Sequence, residues 1–340
     1  MTERRAWGAA AVGLLGAAFG WLLAPGVFPQ AWLSAMVLFS LWPLGSLGLL
    51  LAHALTGGRW GDALRPGLLL GLSTMPLLLP VAVPYVATLS PLYEWARPDG
   101  ALLPNRFWLN LPFAGLRGVI YLVTWLGLGA LAAGRAQAGR SLVGLACIGL
   151  PLLALTVSFA AIDSTMSLQP HFISSAYGMI AMTGAGVLAL SCAVLVTDSL
   201  GTAEADQVGK LMLGLALLWI YLDFMQLLIV WQSDLVSQAP WYLRRARGGW
   251  GLVSGVVALM HGIIPVLALL FTPVRRSWRA LRVLAWMVVT AEVLRTAWTV
   301  LPAVPRAPGL VDAACLLGVG GLAAAVALRR RAPAAVAQHA

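Results

Sequence analysis

The chain has 340 residues, of which 60% are hydrophobic and 10% charged, and its mean hydropathy is +0.87. A soluble domain carries about 25% charged residues, so this composition excludes a soluble protein. In lipid, every backbone polar group needs a partner within the protein, which leaves only helices or closed barrels as spanning structures. Long apolar runs without alternation favour helices.

The net charge of +10 does not indicate a nucleic-acid-binding protein. The arginines lie between apolar runs, where they orient the chain and meet anionic lipid, and no basic patch is interleaved with aromatic residues. The three cysteines, Cys147, Cys192 and Cys315, are isolated within apolar runs. This pattern lacks the spacing of c-type haem or zinc motifs. We therefore expect the chain to bind no metal, haem or iron–sulfur cofactor of its own.

Ten apolar runs occur along the chain, each near the ~20 residues that cross a hydrocarbon core. The sequence therefore predicts an all-α membrane protein of about ten transmembrane helices, forming one membrane domain over residues 1–331. The Ala-rich residues 332–340 are predicted to form a disordered tail. The predicted spans are 6–24, 31–55, 67–89, 111–133, 141–162, 173–197, 211–233, 250–272, 278–300 and 309–328.

Orientation follows from the basic residues in the loops and at the ends of the predicted spans. If the N-terminus faces the cytoplasm, fourteen arginines and lysines lie on that side and six lie on the other. The positive-inside rule then predicts that both termini are cytoplasmic. The cluster Arg244–Arg247 favours the opposite orientation.

The third predicted span contains Pro76, Pro80 and Pro84 at a spacing of four residues. Each proline removes a helical hydrogen bond. The spacing predicts a bent or partly broken helix, either beside a cavity or as a simple packing kink.

Ionisable residues inside a membrane are costly and often functional. In the ninth span Glu292 and Arg295 lie on one helix face, either as a mutually neutralised structural pair or as part of a proton path. In the seventh span Asp223 has no charged neighbour at helical spacing, so its partner must come from another helix or from water. Trp219 and Gln226 share its stripe, and Asp223 is either a proton relay or a neutral structural residue.

Two histidines lie within the spans, His261 in the eighth and His53 in the second. Histidine titrates nearest to neutral pH, so either can join a relay, although a lone helical histidine is more often a core residue. Arg117 of the fourth span either extends to the membrane surface or holds a carboxylate across the bundle. Asp163 and His171 lie in a short polar segment after the fifth span, which is either a simple loop or the outer mouth of a path.

Several motifs resemble one family, the second NrfD-like membrane subunit of alternative complex III, a bacterial quinol:electron-acceptor oxidoreductase. Residues 163–175 read DSTMSLQPHFISS, close to the family pattern D-W-x-M-S-L-x-P-x-W-x-S-T. Residues 219–226 read WIYLDFMQ and include Tyr221, and Trp231 and the run WYLR at 241–244 follow in the family order. Residues 53–61, HALTGGRWG, resemble the family's inner loop.

The sequence also departs from the family pattern. Ser164 and Phe172 replace two family tryptophans, and the acidic pair before the Trp-Tyr motif is absent. If the acidic pair serves partner docking or proton exit in the family, this chain performs that step differently.

The resemblance implies two four-helix bundles, about 31–162 and 173–300, with flanking first and last helices. It implies a subunit of a quinol-oxidising respiratory complex in the bacterial inner membrane, with no catalytic residues of its own. The implied partners are an NrfD-like quinol-binding subunit, with quinone possible nearby, and cytochrome c and iron–sulfur subunits that carry haem and clusters. Asp223, His261, Glu292 and Arg295 would then line a proton path, with His53 on the first bundle and Asp163 and His171 toward the outer mouth. Trp219, Tyr221, Gln226 and Arg117 would be structural or line a cavity.

Two other classes of protein fit the composition. Ten helices with buried charges and a proline-broken helix are typical of secondary transporters. A lone membrane enzyme would need a tight cluster of nucleophile, base or metal ligands, and no HxxxD, HExxH or DxxD motif occurs.

Overall fold

A computed structural model describes residues 2–97, 105–233 and 237–337, with side chains up to Arg331. Within these ranges every regular element is helical, and ten helices are long and apolar enough to cross a membrane. The prediction of an all-α, multi-pass membrane protein is confirmed. The spans, called first to tenth below, are Glu3–Leu23, Phe28–Thr56, Arg59–Ala87, Leu111–Gln137, Val143–Leu168, Tyr177–Val196, Thr202–Gln232, Trp250–Leu270, Trp278–Ala303 and Leu310–Arg331.

Two spans begin a few turns before their apolar runs. The third begins at Arg59 and the seventh at Thr202, whereas hydropathy placed their starts at 67 and 211. The extra turns are polar helix, and in the seventh span they carry an Asp206–Lys210 ion pair of 2.7 Å at i,i+4 spacing. Such pairs stabilise helix outside the lipid, where hydropathy gives no signal.

Two spans are interrupted. The third changes to a 3₁₀ turn at Met75–Leu77, which contains Pro76, as the proline spacing predicted. The eighth contains a π-helical segment, Ala258–Ile263, which was not predicted from the sequence. Pro265 follows this segment and lacks the N–H that would bond to the carbonyl of His261 in an α-helix. A single proline near the middle of the eighth span was the available signal.

We call the second to fifth spans the first bundle and the sixth to ninth spans the second bundle. The second span packs against the third, fifth and sixth, and the sixth also contacts the third, fifth, seventh and ninth. Gly45 of the second span allows a close approach to the sixth span, because any Cβ atom there would clash with the carbonyl oxygen of Ala185. The first and tenth spans pair with each other and lie against the second span.

The first and tenth spans pack through small residues. Ala10 and Gly13 on the first span face Gly318 and Gly321 on the tenth, and a Cβ at Gly13 would clash with the Gly318 backbone. Close backbone approach of this kind is a common basis of helix association in membranes. This pair therefore holds the two ends of the chain together.

Replacing Gly318 with alanine is expected to weaken this pairing. A Cβ there would lie 2.8 Å from the backbone nitrogen of Leu14, and overpacking of this kind costs about 1–3 kcal/mol. The measurement is the thermal unfolding midpoint in detergent. Gly320→Ala is the matched control, because nothing lies within 4 Å of a Cβ at Gly320. Equal midpoints for the two variants would contradict the prediction.

The helix of the tenth span continues to Ala337, through residues predicted from the sequence to form a disordered tail. Alanine has the highest helix propensity, so an Ala-rich segment that follows a helix extends it. Residues 338–340, the rest of the predicted tail, lie outside the described residues.

Candidate functional site

The centre of the second bundle contains a buried pair of titratable side chains. Nε2 of His261 lies 2.8 Å from Oε1 of Glu292, and both side chains are almost fully buried. His261 is in the π-helical segment of the eighth span, and π segments often occur at functional positions. Gly184 of the sixth span makes room for the carboxylate, since a Cβ there would lie 2.9 Å from Oε1 of Glu292. The pair can hold or transfer one proton between its two side chains.

Trp219 of the seventh span contacts His261 of this pair and also Arg295 of the ninth span. Its ring centroid lies 4.0 Å from that of His261 and 4.8 Å from the guanidinium carbon of Arg295. Among the described residues, neither the indole Nε1 of Trp219 nor Nδ1 of His261 has a hydrogen-bond partner. Both atoms are buried away from solvent.

Arg295 pairs with Asp223 across the bundle, at 3.0 Å between Nη1 and Oδ1. The expectation that Asp223 finds its partner on another helix is confirmed. The suggested mutual pair of Glu292 and Arg295 is wrong, because each binds a residue on a different span. Their side chains leave the ninth span one turn apart and meet different neighbours.

A small cavity of about 60 Å³ lies between the two bundles. This volume admits a few water molecules, and its lining offers the several polar partners that buried water needs. The polar residues that line it are Thr165, Tyr177, Gln226, Glu292, Arg295, Thr296 and Thr299. The Glu292 carboxylate and the Arg295 guanidinium therefore line the same cavity.

Gln226 extends the polar region toward the side opposite the termini. Its Oε1 accepts a hydrogen bond from Ser174 at 2.7 Å, and its Nε2 donates to the Tyr242 hydroxyl at 3.2 Å. Burial raises the pKa of Tyr242, which lies outside the spans. The phenol therefore stays protonated at neutral pH and can both donate and accept hydrogen bonds.

Arg245 is buried where the short helix Ala239–Ala246 packs against the end of the ninth span, and it was not identified as a site residue from the sequence. Its guanidinium stacks 3.7 Å from the Trp241 ring centroid and donates to the carbonyls of Trp298 and Thr299 at the end of the ninth span. Burial lowers the pKa of Arg245 to about 9, which leaves it charged at neutral pH. Its place in the Arg244–Arg247 cluster, which opposed the charge rule, was the available signal. This arginine is a packing residue and not a surface charge.

The first bundle holds a separate charged cluster around Asp163. Arg117 binds both carboxylate oxygens, at 2.8 and 2.9 Å, and Trp108 and Tyr121 each donate to it at 2.8 Å. The suggestion that Arg117 holds a carboxylate across the bundle is confirmed. Asp163 belongs to a fully hydrogen-bonded structural cluster, and Trp108, which completes it, was missed because it precedes the fourth span.

Three further candidates lie away from both clusters. His53 is near the end of the second span on the side of the termini, where its Nε2 lies 2.9 Å from the Gly58 carbonyl and 3.8 Å from Asp62. His171 is exposed in the loop before the sixth span. Tyr221 faces outward from the seventh span and does not line the cavity between the bundles. The structure therefore does not bring these residues to the His261–Glu292 pair.

Within the described part of the chain, no group of three or more histidine, cysteine or acidic side chains is arranged to hold a metal ion. The chain matches no protein-family model, and no curated protein is significantly similar to it.

Proposed function

We propose that this chain is an integral membrane subunit of a quinol-oxidising respiratory complex in the bacterial inner membrane. Its role is proton movement and partner docking, and the redox groups are carried by partner subunits. Both termini face the cytoplasm. The motifs at residues 163–175 and 219–226 support the proposal through their resemblance to the second NrfD-like membrane subunit of alternative complex III.

The observation that carries the proton role is the buried His261–Glu292 pair. Ionisable residues inside a membrane are costly and mark proton relays when they contact polar cavities. The carboxylate borders a cavity that also contacts Arg295 and Gln226. A proton on the pair therefore has a polar route toward Tyr242 and the side opposite the termini.

Replacing Glu292 with glutamine is expected to lower proton transfer by the intact complex about tenfold or more, because the amide cannot ionise beside His261. The measurement is quinol oxidation in proteoliposomes that contain a pH-sensitive dye, with proton transfer and electron transfer recorded together. Glu94→Gln is the control, because Glu94 is exposed and outside the spans. Unchanged proton transfer in a folded Glu292→Gln complex would refute this role.

The respiratory assignment has its own test. Tagged protein, isolated in a gentle detergent, is expected to bring haem-bearing and iron–sulfur subunits, detected by haem staining and mass spectrometry. A stable chain isolated without such partners would refute the assignment.

A secondary transporter is the second candidate, favoured by the two interrupted spans. Transporters built from repeats have such breaks in corresponding helices. Here the breaks fall in the second helix of the first bundle and the third helix of the second, which do not correspond in a tandem repeat. Solute uptake by proteoliposomes of the purified chain alone would favour transport.

A further inference from the structure

The seventh and eighth spans meet near the membrane centre and then separate. They touch where a Cβ at Gly262 would lie 2.9 Å from the Ile220 side chain. One and two turns further along the same face of the seventh span lie Asp223 and Leu227. The Asp223 side chain is 33% exposed and Leu227 is 42% exposed. An eighth span that stayed in contact with the seventh along its whole length would cover both residues.

The face of the eighth span that points toward Asp223 and Leu227 is also exposed. Leu259, Gly255 and Leu252 precede Gly262 at helical spacing and are exposed, and nothing lies within 4 Å of a Cβ at Gly255. The first half of the span, Trp250–Val257, packs mainly on the ninth span and on the short helix Ala239–Ala246. The π-helical segment thus marks the point where the eighth span leaves the seventh.

The seventh span contacts Ala258–Leu270 of the eighth but makes few contacts with Trp250–Val257, which leaves a gap between the two spans that we call the cleft. The Asp223–Arg295 ion pair lies at its inner end. Asp223 lies well inside the apolar part of the seventh span, where contact of a carboxylate with lipid chains costs several kcal/mol. Oδ1 of Asp223 binds Arg295, and among the described residues no hydrogen bond reaches Oδ2. A carboxylate exposed at this depth requires a polar neighbour.

We infer that water fills this cleft from the side opposite the termini, and that Asp223 exchanges protons through it. The role of Asp223 rests on the proposed function, whereas the presence of water does not. Water in the cleft completes the hydrogen bonds of Asp223, and Arg295 connects the cleft to the polar cavity that Glu292 lines. The route from the buried pair then leaves the protein sideways at Asp223, in addition to the contacts at Gln226.

The experiment compares two single cysteine variants of the full-length chain in sealed membrane vesicles. Leu227→Cys places a thiol in the cleft, and Phe224→Cys places one on the outward face of the same helix, where Phe224 is 56% exposed. An anionic methanethiosulfonate reagent is added to the side opposite the termini. Because only the thiolate reacts and a thiolate forms in water, Leu227→Cys is expected to be labelled about tenfold faster than Phe224→Cys.

The wild-type chain, with its three native cysteines, gives the background labelling. N-ethylmaleimide, which enters lipid, confirms that both new thiols are accessible in folded protein. Labelling of Leu227→Cys by N-ethylmaleimide and not by the anionic reagent would overturn the inference, since the cleft would then hold lipid. Gly255→Cys, on the facing wall, repeats the test if Leu227→Cys does not fold.

A second measurement, of proton transfer after labelling, tests the proton role separately from the presence of water. Attachment of the anionic group at Leu227→Cys is expected to slow proton transfer by the complex several-fold, whereas the same treatment of Phe224→Cys leaves it unchanged. Rapid labelling without any effect on proton transfer would retain the aqueous cleft and refute the part of the inference that assigns proton exchange to it. Loss of proton transfer in Glu292→Gln tests the proposed function independently of either result.

Discussion

Replacing Asp163 with alanine is expected to destabilise the protein by about 3–5 kcal/mol, because it leaves a buried guanidinium without its carboxylate. Arg117 is 5% exposed and would lose both charged contacts at once. Trp108 and Tyr121 would also lose their hydrogen-bond acceptor. The measurement is the unfolding free energy in mixed detergent and dodecyl sulfate, at neutral pH.

Two further variants serve as comparisons for the stability of Asp163→Ala. The double variant Arg117→Ala with Asp163→Ala removes both charges and is expected to be more stable than Asp163→Ala alone. Asp198→Ala removes an exposed carboxylate that pairs with Arg331, and such surface pairs contribute about 0–1 kcal/mol. If Asp163→Ala behaved like Asp198→Ala, the cluster would not stabilise the first bundle.

Replacing Gly45 with alanine is expected to separate the two bundles at their centre. The new Cβ would clash with the backbone carbonyl of Ala185, which cannot move without shifting the sixth span. We expect a loss at or above the upper end of the roughly 1–3 kcal/mol typical of overpacked cores. The measurement is the same detergent unfolding curve, together with the yield of monodisperse protein.

Gly48→Ala is the matched control on the same helix. A Cβ at Gly48 would lie 3.6 Å from a side-chain carbon of Leu153, an ordinary contact. Alanine also favours helix over glycine by about 1 kcal/mol, so this variant is expected to be neutral or slightly stabilised. A Gly45→Ala protein as stable as Gly48→Ala would mean that the contact between the second and sixth spans is loose.

Hydropathy was sufficient to predict the ten spans, because the cost of unpaired backbone groups in lipid leaves few alternatives for long apolar runs. It did not predict the polar turns at Arg59 and Thr202, which lie beyond the apolar runs. The π-helical segment around His261 depends on how the eighth span packs, and Pro265 alone does not distinguish it from a simple kink.

Helical spacing gave the face of each charged residue but not its partner. Glu292 and Arg295 share a face, which suggested that they pair, yet Glu292 binds His261 and Arg295 binds Asp223. These partners are 31 and 72 residues away along the chain. Which spans become neighbours is decided by packing, for example by the room that Gly184 leaves for the Glu292 carboxylate. Periodicity within a single helix does not contain that information.

The pairing of the first and tenth spans has a consequence for biosynthesis. The small-residue face of the first span enters the membrane well before its partner, because the tenth span begins at Leu310 and the first ends at Leu23. At roughly 5–20 residues per second, the wait is about 15–60 s. During that interval the first span has no permanent neighbour on this face, and insertion chaperones or lipid must cover it. This helix pair is thus completed only after the tenth span has been made.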